Sequence, residues 1–162
     1  MKPKNSRVLK LYNKHRKVEL IIDQKLLERI GKKGIEHFPN EFGGFLIGKY
    51  SDDYKTLFIS DFILPKSYKG SRYLFERSSK GMKSFFSNLF KKKKEYYVGE
   101  WHTHPNGSTG FSATDLNAMI NIESSTSVSI KNPVLLILSV SAQKINQATF
   151  YIYDKKKLLP YE

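Results

Sequence analysis

Of the four histidines in this 162-residue chain, two stand two residues apart, His102 and His104. After seven intervening residues comes Ser112, and three further on Asp115. Imidazole nitrogen and carboxylate oxygen together form a donor set that suits zinc, and three protein ligands leave a fourth tetrahedral position for water, which is the arrangement of a catalytic rather than a structural site. Each piece has a plainer explanation. Ser112 with Asp115 is also a capping-box pattern, and the histidines could be strand-end residues bonded to backbone. Separately those explanations suffice, but jointly they leave unexplained why half of the histidines fall just ahead of a carboxylate at a helix start.

The surrounding residues specify the elements that would hold this set together. Tyr96, Tyr97 and Val98 favour an extended strand running into the histidines, and strand alternation places both imidazoles on one face with Thr103 opposite. Pro105 and the Asn106-Gly107-Ser108 run end that strand. Ser112 is a good N-cap, and Leu116, Met119 and Ile120 recur at the spacing of one buried helical face. Asp115 then lies in the first turn, facing back toward the strand end.

His102-x-His104, seven intervening residues and Ser112-x-x-Asp115 together resemble the JAMM motif of the JAB/MPN metalloprotease family. That family also carries an upstream glutamate, commonly followed by two glycines, and Pro39-Asn40-Glu41-Phe42-Gly43-Gly44-Phe45-Leu46-Ile47-Gly48 is similar. The resemblance extends over roughly residues 18–153. It implies His102, His104 and Asp115 as zinc ligands, Glu41 as the general acid/base and Ser112 as the group that stabilises the tetrahedral intermediate. Gly43 and Gly44 beside the implied base read as architecture of the site, since glycine inside a strand costs stability unless something must approach closely; a β-bulge is the alternative.

Composition narrows the classes. The length predicts one domain with a real core. With no cysteine, disulfides and thiolate-bound zinc are excluded, and so is the Pro-Cys-x-x-Cys pair a zinc deaminase needs. The formal charge is +13, carried by 23 Lys and 5 Arg. That lysine bias speaks against nucleic-acid recognition, which favours the planar guanidinium, and is more simply an effect of overall composition; attraction to an acidic protein partner is the more useful consequence of the charge. No signal-peptide core or membrane-length apolar run is present, so a soluble, cytoplasmic protein is expected.

In chain order, residues 1–17 carry seven basic residues and no acidic one. They read as a basic N-terminal arm, flexible in part, ahead of a domain over 18–162. Val18, Leu20 and Ile22 predict a strand. Asp23 caps a helix carrying Leu26, Leu27, Ile30, Gly34 and Ile35, and His37 near its end is expected to interact with terminal carbonyls rather than a metal. Strands follow over Phe42 to Tyr50 and Leu57 to Leu64, joined by a turn at Ser51-Asp52-Asp53. Lys66 to Lys80 reads as irregular; in the family this connection commonly flanks the substrate groove, and Arg72, Tyr73, Phe75 and Arg77 fit either partner contact there or ordinary packing. Met82, Phe85, Phe86, Leu89 and Phe90 predict an amphipathic helix whose apolar stripe faces the core, ending in Lys91 to Lys94, where cations suit the macrodipole. Glu123 to Lys131 reads as a loop, Val134 to Leu138 as a central strand and Ala148 to Tyr153 as the last strand. The expected architecture is α/β: a three-layer mixed β-sheet with flanking helices, the JAB/MPN (cytidine-deaminase-like) fold.

The resemblance also implies the activity: a zinc-dependent isopeptidase or peptidase that hydrolyses the bond after the C-terminal glycine of a ubiquitin-like protein, by deconjugation or precursor processing. The chain looks most like stand-alone prokaryotic members that accompany ubiquitin-like conjugation systems, some in anti-phage operons, which makes E1-like or E2-like enzymes of the same operon expected partners. Two enzymatic variants share the chemistry: release of a sulfur-carrier protein's tail, and cleavage of a small peptide or peptidoglycan-like amide. Two other classes compete, a scaffold that binds a ubiquitin-like protein without cutting it and a DNA-repair accessory protein of the same fold.

Overall fold

The structure, a computed structural model, describes residues 7–70, 75–78, 83–124 and 130–162. Their order is β1 (Val8–Asn13), β2 (Val18–Asp23), α1 (Gln24–Ile35), β3 (Gly43–Tyr50), β4 (Thr56–Ile63), β5 (Ser67–Gly70), β6 (Phe75–Ser78), α2 (Lys83–Lys93), β7 (Tyr96–Pro105), α3 (Ala113–Ser124), β8 (Val134–Val140), β9 (Ile145–Asp154) and β10 (Lys157–Pro160). Eight strands form one mixed sheet in the order β1-β2-β4-β3-β7-β8-β9-β10, and β5 and β6 form a separate hairpin. β7 lies near the middle, antiparallel to β3 and parallel to β8. The mixed α/β class expected from the pattern is the one observed.

Alternation along the strands divides the interior. Leu136, Leu138 and Trp101 pack with Leu26, Leu27 and Ile30 of α1, whereas Leu135 and Ile137 pack with Met119 of α3. α1 and α3 therefore cover opposite faces of β8, the strand whose continuous apolar run predicted burial on both sides. α1 touches β2, β4, β7, β8 and β9. The sheet curls around it far enough for its two edges to meet, with Tyr12 and Glu162 exchanging backbone hydrogen bonds of 2.7 and 3.0 Å. Asp23 caps α1 by accepting from the Lys25 N–H at 2.8 Å, and the His37 ring nitrogen Nδ1 lies 3.0 Å from the Lys33 carbonyl, as a C-terminal histidine should.

Three expectations need correcting. From Val8 onward the basic segment read as an arm is a strand, paired in register with β2. Leu9 and Leu11, alternating with Lys10 and Tyr12, pack on the core, and two apolar residues among seven cations are too few to show as a period. The connection read as irregular contains the β5–β6 hairpin, which carries no alternating apolar face to announce it. Arg72 and Tyr73 lie outside the described residues, as do Met82 and residues 125–129 of the loop before β8, and for Phe75 and Arg77 only the backbone is described. Finally, the α2 stripe is not all core. Phe86 packs against Phe45 and Tyr97, but Phe85 and Phe90 are 43% and 49% exposed, because α2 rests on the sheet over a narrow strip.

Among the described residues no helix is long and apolar enough to cross a membrane.

Candidate metal centre

The last residues of β7 carry the two imidazoles. Trp101 and Thr103 point to the α1 side: Trp101 is fully buried in the core cluster around α1, and the Thr103 methyl reaches Gly34 of that helix. His102 and His104 therefore project to the opposite face, toward α3. His102 is buried and His104 half-buried. α3 begins where the capping pattern places it, with the Asp115 N–H donating to Ser112 Oγ at 3.1 Å and the Ser112 N–H donating to Asp115 Oδ2 at 2.7 Å. The capping box and the candidate ligand set are thus one structure. Because the Asp115 carboxylate is held by the Ser112 backbone, it turns toward the strand end.

There the three side chains converge. His102 Nε2 lies 3.0 Å from His104 Nε2 and 3.2 Å from Asp115 Oδ1, and His104 Nε2 lies 3.5 Å from Asp115 Oδ2. Tetrahedral zinc with bonds near 2.0–2.1 Å needs ligand atoms about 3.3 Å apart, so these separations straddle the required value. The tautomer fits as well. His104 Nδ1 lies 2.8 Å from the Ser108 carbonyl, so that nitrogen carries the proton and Nε2 offers its lone pair to the cluster. Without a metal, a second proton on the His104 ring can bridge Nε2 to Asp115, and a bound metal would take that proton's place. His102, His104 and Asp115 form a group able to hold a metal ion.

The electrostatics agree. Burial alone would raise the Asp115 carboxyl, but hydrogen bonds to His102 and His104 outweigh it and hold the group far below the usual carboxylate range. Burial would likewise lower His104, yet the Asp115 carboxylate and the Ser108 carbonyl more than offset it and raise the imidazole above its ordinary value, with Glu41 adding to the rise. A raised imidazole holds its proton to higher pH, and a metal must displace that proton. Zinc loading should therefore begin to weaken, as pH falls, above the usual histidine midpoint of about 6.5. Chelator-competition titrations between pH 5.5 and 8 read this directly, and an affinity flat across that window would contradict it.

Glu41 enters from the neighbouring strand. It lies half-buried just ahead of β3, whose Gly43 pairs with His102 and Gly44 with Trp101. The Thr103 N–H donates to the Phe42 carbonyl at 2.8 Å and the Phe42 N–H to Thr103 Oγ1 at 3.1 Å, tying the residue after Glu41 to the residue between the histidines. Gly43 and Gly44 lie in regular register, and the irregularity of β3 comes later, at Ile47 and Gly48, so the β-bulge explanation of the glycine pair does not hold. A Cβ on Gly43 would stand 2.0 Å from the Trp101 carbonyl oxygen, which is why that position carries none.

The structure thus brings His102, His104 and Asp115 into one cluster and places Ser112 at its edge and Glu41 near enough to act on His104. Sequence reasoning missed the backbone partners: the Ser108 carbonyl that fixes the His104 tautomer, and the Thr103–Phe42 tie. Neither has a side-chain signature, since each depends on main-chain atoms that any residue supplies.

Residues 23–151 match a family model described as prokaryotic homologs of the JAB domain. An Enterobacter hormaechei protein named CD-NTase/cGAS isopeptidase is 32% identical over 120 residues, which cover 74% of this chain and 66% of that relative, just under two thirds of its length. The fold is similar to solution structures of a protein from Desulfitobacterium hafniense, with TM-score 0.63, 18% identity and coverage of 86% and 87% of the two chains, and of one from Salinibacter ruber, with TM-score 0.56, 18% identity and 87% coverage of each. Convergent imidazoles and carboxylate at the end of β7, together with a family match that spans most of the domain, establish that this chain belongs to the prokaryotic JAB family.

Proposed function

We propose that the protein is a zinc-dependent isopeptidase or peptidase that hydrolyses the bond after the C-terminal glycine of a ubiquitin-like protein, with His102, His104 and Asp115 as ligands. The observation that carries the metal reading is the His104 tautomer: Nδ1–H is committed to the Ser108 carbonyl, so Nε2 faces Asp115 and His102 as a ligand. The substrate class follows the isopeptidase name of the Enterobacter hormaechei relative together with the JAMM resemblance. That relative's name also refers to CD-NTase and cGAS, which supports a setting beside a conjugation system with E1-like and E2-like enzymes, in defence against phage.

His102, His104 and Asp115 would hold the zinc, which when bound would supply an acidified water and Lewis-acid polarisation of the scissile carbonyl. The protein's own groups handle the protons and the developing charge. Glu41 accepts a proton from the attacking water and delivers it to the departing amine nitrogen, which would otherwise leave as an anion. Ser112 Oγ accepts the Asp115 N–H as N-cap, so its own O–H proton remains to be donated to the carbonyl oxygen as charge builds there. The helix start that orients Asp115 thereby also aims the oxyanion donor. Beside the residue that follows Glu41, Tyr68 of β5 rests against Phe42 and His37, with ring centroids 4.9 and 5.9 Å away. A hairpin in that position offers strand-like backbone to an extended glycine tail.

The test is a fusion of a cognate ubiquitin-like protein, through its C-terminal glycine, to a reporter amine. Cleavage at that bond is expected, stopped by a chelator and insensitive to thiol and serine reagents. Cleavage that persists in the chelator would show that zinc chemistry is not what breaks the bond.

A further inference from the structure

The loop between His104 and Ser112 must place Ser112 and Asp115 correctly against imidazoles fixed on a different element. Three consecutive carbonyls of that loop, Gly107, Ser108 and Thr109, each accept a hydrogen bond from the side chain of a different strand. Ser139 of β8 donates to Gly107 at 2.5 Å, His104 of β7 to Ser108 at 2.8 Å and Tyr151 of β9 to Thr109 at 2.7 Å. Thr109 is tied a second time, its hydroxyl 2.7 Å from that of Thr149 on β9. It is 5% exposed in a loop whose neighbours Ser108 and Gly110 are exposed, so it is an anchor driven into the sheet rather than a passing contact.

We infer that Ser139 and Tyr151, with Thr149 behind Thr109, are positioning residues of the metal centre. They fix the loop's height above β7, β8 and β9, and this sets two ligands at once. Upstream, the Ser108 carbonyl that orients the His104 ring is flanked on both sides by clamped carbonyls. Downstream, two residues after Thr109, Phe111 sits edge-on to the Tyr151 ring at 5.4 Å and leads directly into the Ser112 cap that carries Asp115. The Ser108 carbonyl is the group hydrogen-bonded to His104, a kind of contact that governs metal affinity by about 10–100-fold, and Ser139 and Tyr151 hold the carbonyls on either side of it, so releasing either clamp is expected to reach the lower end of that range. A loop held merely for stability would need no donor on each of three adjacent strands aimed at three successive carbonyls.

This inference rests on the metal-centre reading above, and its test reads the metal rather than turnover. The substitutions are Tyr151→Phe, which removes the hydroxyl but keeps the ring against Phe111, Ser139→Ala, and the pair Thr149→Val and Thr149→Ser, of which the second keeps the hydroxyl. For each, the zinc dissociation constant is measured by chelator competition, the visible spectrum is recorded with cobalt in place of zinc, and thermal unfolding of the metal-free protein is followed. Expected are a loss of zinc affinity of about tenfold or more for Tyr151→Phe and Ser139→Ala, a perturbed cobalt spectrum, and wild-type behaviour for Thr149→Ser but not Thr149→Val. If unfolding shifts while zinc affinity and the cobalt spectrum stay at wild-type values, the clamps are structural and the inference falls. Should Tyr151→Phe not fold, Ser139→Ala on the other strand decides by the same criteria. A wild-type chain that binds neither zinc nor cobalt refutes the metal centre itself, a different outcome from variants that bind as the wild type does.

Discussion

Glu41→Gln should still bind zinc and substrate while its turnover falls by about two to four orders of magnitude. The substitution keeps the side chain's volume and removes the basic carboxylate, so what is lost is proton transfer to and from the reacting atoms. The electrostatics give the metal prediction its sign. The Glu41 carboxylate is one of the charges that raise His104, so neutralising it lets the imidazole give up its proton more readily, and a proton held less tightly competes less with zinc. Metal content by elemental analysis, substrate affinity by titration and single-turnover rates separate the three quantities. A Glu41→Gln protein that unfolds or emerges without zinc would identify the carboxylate as structural and leave the reaction without its assigned base. A scaffold that binds without cutting predicts no difference in cleavage between variant and wild type, because there would be none to lose.

How much of this was legible in the sequence depends on whether side chains or backbone carry the information. The His102–His104–Asp115 cluster was legible because its chemistry lies in residue types at fixed spacing: alternation on one strand puts His102 and His104 on a face, and a capping box puts Asp115 in a first turn. β8 was legible because burial on both faces leaves a continuous apolar run. β1 was not, because its two inward leucines are diluted by cations, and it is held as much by hydrogen bonding along β2 and by the Tyr12–Glu162 pair as by apolar area. The exposed Phe85 and Phe90 show the converse limit. A helical stripe predicts which residues share a side, but how much of that side the sheet covers is set by where α2 lies, and periodicity carries no information about that. The clamps on Gly107, Ser108 and Thr109 were invisible for the same reason as the Thr103–Phe42 tie, since the acceptors are main-chain carbonyls.

Steric crowding against β7 is the physical reason for glycine at the start of β3. A Cβ at Gly43 would meet the Trp101 carbonyl oxygen at 2.0 Å and the His102 Cα and Cβ at 2.8 Å. Two of those three atoms are backbone, so no rotamer change relieves the clash, and β3 must move away from β7 at the very residue that pairs with a metal ligand. The hydrogen bonds between Phe42 and Thr103 are next in line, and Glu41 moves with them. Gly43→Ala should therefore cost about 1–3 kcal/mol of stability, as forced overpacking does. It should also weaken zinc binding and reduce turnover at least as far as Glu41→Gln, because ligand and base are displaced together. Gly110→Ala is the control. Its Cβ would meet only Ser108 Oγ, at 3.3 Å, an exposed hydroxyl whose hydrogen bond from the Gly110 N–H, 3.2 Å, water can replace if it shifts, so stability and metal affinity should stay near wild type. Thermal unfolding with zinc titration of both variants decides the matter. A Gly43→Ala protein with wild-type melting, metal affinity and turnover would mean that close approach of β3 to β7 is not what sets the place of Glu41 relative to His102 and His104.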